Sequence, residues 1–408
     1  MKAIDRFLKY VKIETTSNPD SSSHPSSDIQ FNLGNILVAE LKELGVNDAY
    51  IDNHCYVYGS IEANCDGYPT IGLIAHMDTS FDISGKDVKP RIIPNYDGLD
   101  VILDKENNII LKVSEFPDLK SRIGQTLIVT DGHTLLGADD KAGICEIMSV
   151  IEYLHNNPSF KHGKILICFT PDEEIGEGTS CFNFKDFKCD FAFTIDGGKE
   201  GSIDYENFNA ASCHVTINGV NIHPGSAKGH MVNSILVAQE FNSLLPSFDI
   251  PANTEMYEGF NHLNDISGTV EKTDMYYIIR NHDMNKFNKQ KQDFLNIQDF
   301  INKKYSNNTC QVEIKDSYYN MYEVLKDHME IIDLAIEATK NANLTPIITP
   351  IRGGTDGARL TYEGIICPNL GTGGANFHGR YEYITIEGIE KSIEVILNIL
   401  KDSKNIKR

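Results

Sequence analysis

The spacing of apolar residues changes along the chain, and these changes predict its helices and strands. Apolar positions recur at helical spacing in three segments of the first half, 2–13, 29–44 and 141–155. Short apolar or alternating runs typical of strands occur at 49–61, 69–75, 126–130, 164–169 and 189–195. Strands that alternate with helices in this way predict an α/β sheet.

The pattern changes near residue 205 and changes back near residue 325. Between these points the predicted elements follow the order β-α-β-β-α-β, over 210–220, 231–245, 263–272, 275–280, 286–305 and 311–317. This order is the ferredoxin-like arrangement. The α/β pattern then returns, with helices at 328–342 and 387–400 and strands at 346–351 and 364–368.

These boundaries predict a discontinuous α/β domain with a second domain inserted into it. The first is formed by residues 1–206 and 321–408, and the inserted α+β domain by residues 207–320. The length of 408 residues also favours two domains, because single hydrophobic cores stop growing well before that size.

The net charge of the chain restricts the kinds of partner that it is expected to bind. The chain has 37 Lys and Arg residues against 58 Asp and Glu residues, a formal net charge of −21. Binding to nucleic acid or to an anionic membrane surface requires a basic face, so we expect neither as a partner.

Cysteine usage and the N-terminus indicate the compartment. The nine cysteines form no CxxC pair, which argues against a zinc knuckle and a dithiol redox motif. Free thiols suit a reducing cytosol. The first residues carry early charges without a long apolar core, and no apolar run reaches membrane-spanning length. We therefore expect a cytoplasmic protein.

An acidic pair, Glu173 and Glu174, follows the apolar run 164–169. An apolar strand has no structural use for two carboxylates at its tip. Because neighbouring side chains at a strand end point in different directions, one carboxylate can bind an ion while the other faces a reacting atom.

Other polar residues follow predicted strands in the same way. His76 and Asp78 follow one strand, Asp139 opens the turn into a helix, and Asp196 follows a fourth strand. Ligands of open α/β sheets bind outside the carboxyl ends of the strands, so these side chains are expected to meet. Mixed nitrogen and oxygen donors favour zinc, or Co²⁺ or Mn²⁺ in its place, over calcium and magnesium.

A complete ligand set for two ions needs a second histidine, and His378 in a Gly-rich loop is the best candidate. Asp139 would then bridge two Zn²⁺ ions. One ion would be completed by His76 and Asp196, and the other by Glu174 and His378.

Two acidic residues remain for the chemistry. Asp78, two residues after His76, can orient the imidazole. Glu173 is left without a metal, free to take the proton from a water that bridges the ions.

Each motif also has an ordinary structural interpretation. Asp139 and Asp140 could cap a helix N-terminus, Glu173 and Glu174 could form a solvated turn, and Asp196 could belong to a turn with Gly197. It is their recurrence at strand ends that favours a metal site.

Together these motifs resemble metallopeptidase family M20. The resemblance extends over nearly the whole chain and rests on His76-Met77-Asp78-Thr79, Gly137-Ala138-Asp139-Asp140-Lys141-Ala142-Gly143, Pro171-Asp172-Glu173-Glu174, Asp196-Gly197-Gly198 and the His378 loop. It implies a discontinuous dizinc exopeptidase domain that removes the N-terminal residue from tripeptides, with Glu173 as general base. It also implies that the inserted domain forms a homodimer and closes over the substrate, and that the peptide bond between Asp139 and Asp140 is cis.

Four further residues are candidates for substrate binding. The match of Asn221-Ile222-His223-Pro224-Gly225 to a family motif makes His223 a candidate oxyanion donor. Asn233 is a second candidate. Arg280 and Arg352 could hold the terminal carboxylate of a peptide in a bidentate pair, although a surface or interdomain salt bridge is an equal alternative for each.

Two other functions stay open at this point. An M20-type dipeptidase or N-acyl amino acid deacylase would use the same site on another substrate. A non-catalytic metal-binding or peptide-binding protein would have no need of a general base such as Glu173.

Overall fold

The computed structural model describes residues 1–406 and divides into two compact units. Unit 1 contains Met1–Tyr205, Val324–Thr349 and the chain from Thr355 onward. Unit 2 contains Glu206–Glu323 and Pro350–Gly354. Unit 1 is thus discontinuous in sequence.

The strands of the described chain are β1 Tyr50–Ile51, β2 Val57–Ile61, β3 Ile71–His76, β4 Arg91–Ile93, β5 Val101–Asp104, β6 Ile109–Leu111, β7 Leu127–Val129, β8 Ile165–Thr170, β9 Phe191–Gly197, β10 Ile203–Asp204, β11 Asn209–Asn218, β12 Phe260–Gly268, β13 Lys272–Asn281, β14 Cys310–Tyr318, β15 Asn369–Gly371, β16 Gly374–Ala375 and β17 Tyr383–Thr385. The α-helices are α1 Ala3–Tyr10, α2 Gln30–Glu43, α3 Ala138–Asn156, α4 Ser234–Leu244, α5 Met284–Lys304, α6 Tyr322–Leu325, α7 Met329–Asn341, α8 Asp356–Tyr362 and α9 Ile386–Asp402.

Unit 1 is built on a mixed sheet with the strand order β1-β2-β8-β3-β9-β15-β10. Its centre is parallel, since β3 pairs in parallel with both β8 and β9. β3 and β8 are buried at every position. Strands covered on both faces need apolar residues at successive positions, which explains their continuous apolar runs. The predicted mixed α/β fold is confirmed.

A smaller sheet, β16-β17-β7-β4, also belongs to unit 1. Its apolar residues pack with the β5–β6 hairpin around Leu111, Leu127 and Tyr383. β17 pairs with β7, which connects the C-terminal part of the chain to the segment that leads into α3.

Unit 2 contains an antiparallel sheet of order β12-β13-β11-β14. Alternate residues of β11, such as Cys213 and Val215, pack against Phe241 of α4 and Phe294 of α5. The strands and the helices α4 and α5 of unit 2 follow the order β-α-β-β-α-β along the chain.

Three strand predictions are wrong. Residues 49–61 form β1 and β2 around a turn, because the Asp52 carboxylate accepts hydrogen bonds from the backbone N–H groups of His54 and Tyr56. Residues 346–351 form only isolated bridges, at Ile347 and Ile351.

Residues 364–368 were expected to be a strand, but β15 begins only at Asn369. The carbonyls of Ile366 and Pro368 do accept hydrogen bonds from the backbone of β9. Proline has no N–H to return, so a regular ladder starts after Pro368.

Two further observations concern the whole described chain. All nine cysteines are free thiols. Over residues 1–406, no helix has both the length and the apolar character needed to cross a membrane.

Candidate active site

The polar residues predicted at strand ends converge at one edge of the unit 1 sheet. His76 is the last residue of β3 and lies opposite Thr170, the last residue of β8. Asp196 lies one residue before the end of the adjacent β9. Carboxyl ends of parallel strands share one edge of a sheet, which brings these side chains together.

The start of α3 packs closely against β9, the strand that carries Asp196. A Cβ atom on Gly143 would lie 1.8 Å from the carbonyl oxygen of Ile195, so only glycine allows this approach. Gly137, before the turn, has a positive φ of 79°. The peptide bond between Asp139 and Asp140 is cis, as expected.

Asp139 occupies the centre of the cluster. Its Oδ1 lies 2.9 Å from Nε2 of His76, and its Oδ2 lies 3.2 Å from Nε2 of His378. The two oxygens of one carboxylate therefore face two different histidines, from positions far apart in the sequence.

Each histidine also has a second carboxylate partner. Nε2 of His76 is 3.5 Å from Oδ1 of Asp196. Nε2 of His378 is 2.9 Å from Oε2 of Glu174. The five predicted metal ligands thus lie in contact with one another, and Asp139 contacts both histidines.

Asp78 holds the backbone of the acidic pair. Its Oδ1 accepts a hydrogen bond of 2.9 Å from the N–H of Glu173, and its Oδ2 accepts one of 3.2 Å from the N–H of Glu174. The same Oδ1 lies 3.3 Å from Nδ1 of His76. One buried carboxylate therefore connects the histidine with both glutamates.

The pKa values show how strongly the cluster attracts positive charge. Burial raises the pKa of Asp196 to about 6 and that of Glu174 to about 7, and raises the pKa of Glu173 well above its ordinary value. Burial opposes ionisation of Asp139, but hydrogen bonds from His378 and His76 outweigh it and lower its pKa. Hydrogen bonds to Asp139 and Glu174 raise the pKa of His378 to about 11.

The residues present fit divalent transition-metal ions. Two groups of donors lie with all their ligand atoms within 4.8 Å of one another: His76, Asp140 and Asp196, and His76, Asp139 and Glu174. Oε1 of Glu174 is buried and has no hydrogen-bond partner among residues 1–406. So many buried carboxylates require compensating cations, and imidazole with carboxylate donors suits zinc.

Three acidic residues near the site were not predicted to act there. Asp140 accepts hydrogen bonds from the N–H groups of His76 and Gly143. Asp172 accepts hydrogen bonds from Ser26 and Gln30. Glu382 accepts four hydrogen bonds, from the backbone N–H groups of residues 136–139. Their only signal in the sequence is a position one to four residues from a proposed site residue.

The four candidate substrate-binding residues lie in unit 2. His223 is exposed, and its Nδ1 accepts a hydrogen bond from the N–H of Gly225. The side chain of Asn233 caps α4 through the N–H of Ile235.

The two arginines differ in their contacts. Nη1 of Arg280 donates to the carbonyls of Ala211 and Ile279, and the guanidinium lies over the ring of Tyr318. Arg352 donates from both Nη atoms to Thr254, Met256 and Glu258. Among residues 1–406, neither arginine forms a salt bridge, which was the alternative to substrate binding.

An acidic cluster with two histidines at the carboxyl edge of an α/β sheet fits a metal-dependent hydrolase. Residues 130–402 match the sequence model of "Peptidase family M20/M25/M40". The chain therefore belongs to this peptidase family.

Similar proteins indicate which kind of peptidase this chain is. The chain is 55% identical, over 98% of each sequence, to a protein of Caldanaerobacter subterraneus named peptidase T. The crystal structure of aminopeptidase PepT from Bacillus cereus has a TM-score of 0.78 at 21% identity, with 98% of each chain covered. A Bacillus subtilis structure described as a dinuclear metal binding peptidase of family M20 has a TM-score of 0.62 at 12% identity, covering 99% of this chain and 98% of that one. The protein is an enzyme, a metallo-aminopeptidase.

Proposed function

We propose that this enzyme cleaves the N-terminal amino acid from tripeptides with the help of two Zn²⁺ ions. The observation that carries the proposal is the position of Asp139, whose two carboxylate oxygens face His76 and His378 separately. A bridging carboxylate between two imidazoles is the arrangement expected of a dinuclear centre.

The proposed ligand sets follow the contacts. Asp139 is shared, His76 and Asp196 complete one set, and Glu174 and His378 complete the other. When bound, the two ions would lower the pKa of the attacking water and stabilise negative charge on the carbonyl oxygen. Co²⁺ or Mn²⁺ accepts the same donors.

Glu173 is the proposed general base. Its backbone N–H is held by Asp78, whose carboxylate also lies beside Nδ1 of His76. Burial raises the pKa of Glu173, so its carboxylate is a stronger base than an exposed glutamate. It takes a proton from the attacking water and returns it to the leaving amine.

Unit 2 supplies the proposed substrate-binding residues. His223 is assigned as a donor to the oxyanion, and Asn233 as a further substrate contact. Of the two arginines, Arg280 suits the terminal carboxylate of a peptide better, because the contacts of the described residues occupy only its Nη1. The inserted domain, residues 207–320, is further proposed to form a homodimer and to act as a lid, and the enzyme to work in the cytoplasm.

A dipeptidase or an N-acyl amino acid deacylase is the alternative. The identity of 55% to a peptidase T over nearly the whole chain favours the tripeptide substrate. A non-catalytic binding protein needs no general base such as Glu173, and family membership argues against that function.

The test combines metal analysis with a substrate panel. Protein loaded with zinc is assayed with a free tripeptide, the corresponding dipeptide and an N-acetylated amino acid. We expect two zinc equivalents per chain and the highest kcat/KM with the tripeptide. A higher kcat/KM for either other substrate would overturn the substrate assignment, and a single bound equivalent would overturn the dinuclear centre.

A further inference from the structure

Glu382 contacts the backbone that leads into Asp139 and is almost completely buried, with 1% of its surface exposed. Its Oε2 accepts hydrogen bonds of 2.6 and 2.9 Å from the N–H groups of Leu136 and Gly137. Its Oε1 accepts hydrogen bonds of 2.7 and 3.2 Å from the N–H groups of Ala138 and Asp139. One carboxylate thus binds four consecutive backbone amides.

Leu136 and Gly137 directly precede α3, and Ala138 and Asp139 are its first two residues, whose N–H groups have no partner within the helix. The partial positive charge of a helix N-terminus favours an anion at this position. Gly137, with its positive φ, lets the chain curl so that all four N–H groups point to one side. The last of the four belongs to Asp139 itself.

Glu382 also belongs to the loop that carries His378. Its own N–H donates to the carbonyl of Gly379, the residue after that histidine. A single residue therefore joins the His378 loop to the Asp139 turn across 243 positions of the sequence. The contact between Asp139 and His378 depends on the relative position of these two segments.

We infer that Glu382 is a positioning residue that sets Asp139 and His378 at the separation needed to hold two metal ions. This inference rests on the proposed role of Asp139 as the bridging ligand. Glu382 touches neither substrate nor metal in this assignment. It acts only through the backbone of residues 136–139 and through its own loop.

The chemistry of the side chain makes the inference testable with an almost isosteric change. An ionised carboxylate accepts hydrogen bonds at both oxygens, whereas a Gln amide turns one of these positions into a donor. In Glu382→Gln, two of the four N–H groups would face an NH₂ group, so the Asp139 turn would have to shift. Glu382→Asp keeps both acceptors but is one methylene shorter.

Glu387 offers a matched control on the same part of the chain. Its Oε2 accepts a hydrogen bond of 2.8 Å from the N–H of Thr126, directly before β7. It is a carboxylate bound to a backbone amide, but it contacts no proposed ligand. Glu387→Gln should therefore leave metal binding and kinetics unchanged.

The experiment titrates metal-free wild type, Glu382→Gln, Glu382→Asp and Glu387→Gln with Zn²⁺ in a calorimeter, and measures kcat and KM after loading. For Glu382→Gln we expect affinity for one of two equivalents to fall by about 10- to 100-fold, the usual effect of removing such support. We also expect kcat to fall by a similar factor while KM changes little, with partial recovery in Glu382→Asp.

The outcomes separate this inference from the proposed function. If wild type binds two equivalents and Glu382→Gln binds both with unchanged affinity and kcat, Glu382 is not a positioning residue, even if the thermal midpoint falls. If wild type itself binds one equivalent, the dinuclear proposal fails instead. Should Glu382→Gln be insoluble, the comparison is made with Glu382→Asp, where unchanged affinity and kcat would equally overturn the inference.

Discussion

The carboxylate of Asp78 accepts a hydrogen bond of 2.9 Å from the backbone N–H of Glu173. This contact joins the loop after β3 to the loop after β8. Asp78 is fully buried, and its second oxygen is occupied by the N–H of Glu174. The residue expected from the sequence to orient His76 therefore also fixes the backbone of the proposed base.

Replacing Asp78 by Asn should reduce kcat by about 10- to 100-fold, because one carboxylate oxygen becomes a donor that faces an N–H group. Both His76 and the Glu173 backbone lose support, while all five proposed ligands remain. Steady-state kinetics with a tripeptide, together with the zinc content of the purified variant, give the measurement. Wild-type kcat in a fully loaded variant would contradict the positioning role.

Glu173→Gln should reduce kcat by at least about 100-fold, the lower range for loss of a general base. The variant keeps the shape of the side chain but cannot accept a proton. Zinc content should remain at the wild-type level because Glu173 is not a proposed ligand. Undiminished hydrolysis would show that another residue is the base.

The two arginines should respond differently to truncation. For Arg280→Ala we expect KM for a free tripeptide to rise by about 10- to 100-fold, the loss of a charge-assisted hydrogen bond to the substrate carboxylate. A tripeptide with a C-terminal amide serves as the control, since its KM should already be high and change little. Equal effects on both peptides would remove Arg280 from carboxylate binding.

Arg352→Ala should instead act on the stability of unit 2. The guanidinium donates to Thr254, Met256 and Glu258, and lies over the rings of Phe208 and Phe260. Its removal should lower the free energy of unfolding by about 2 kcal/mol, measured by urea titration of metal-free protein. A selective rise in KM without loss of stability would restore its role in substrate binding.

Zinc affinity should rise with pH between 6 and 8. In metal-free protein the pKa of Glu174 is raised to about 7 and that of His378 to about 11, so both hold protons at pH 6. Zinc binds the deprotonated forms, so binding releases these protons and is opposed by acid. Each released proton corresponds to about a tenfold change in affinity per pH unit.

Calorimetry in two buffers of different ionisation enthalpy counts the protons released. A buffer-independent enthalpy, with constant affinity from pH 6 to 8, would show that the ligands are already deprotonated before zinc binds.

The proposed metal ligands could be predicted from the sequence better than the residues that hold them in place. His76, Glu174 and Asp196 stand at strand ends, and the geometry of a parallel sheet requires such residues to meet. His378 could be added because a dinuclear site needs a second imidazole. These inferences use rules that connect residue type to place in a fold.

The supporting residues follow no such rule. Asp140, Asp172 and Glu382 act by accepting hydrogen bonds from backbone N–H groups of distant segments, and a backbone amide has no signature in the sequence. The strand errors have a similar origin. Pro368 interrupts a ladder whose partner, β9, is remote in sequence, and the Asp52 turn replaces the middle of a run that alternates correctly for a strand.

The placement of β15 has a consequence for the order in which the enzyme becomes functional during translation. β15 lies between β9 and β10, and His378 follows it within a few residues. When the ribosome has made the first 205 residues, four of the five proposed ligands exist, but the sheet lacks an inner strand. The next hundred residues carry the apolar core of unit 2. Only the last segment supplies β15, His378 and Glu382 together. A nascent chain therefore lacks the complete set of proposed metal ligands until synthesis is almost finished, and a message broken before that point would yield a chain without that set.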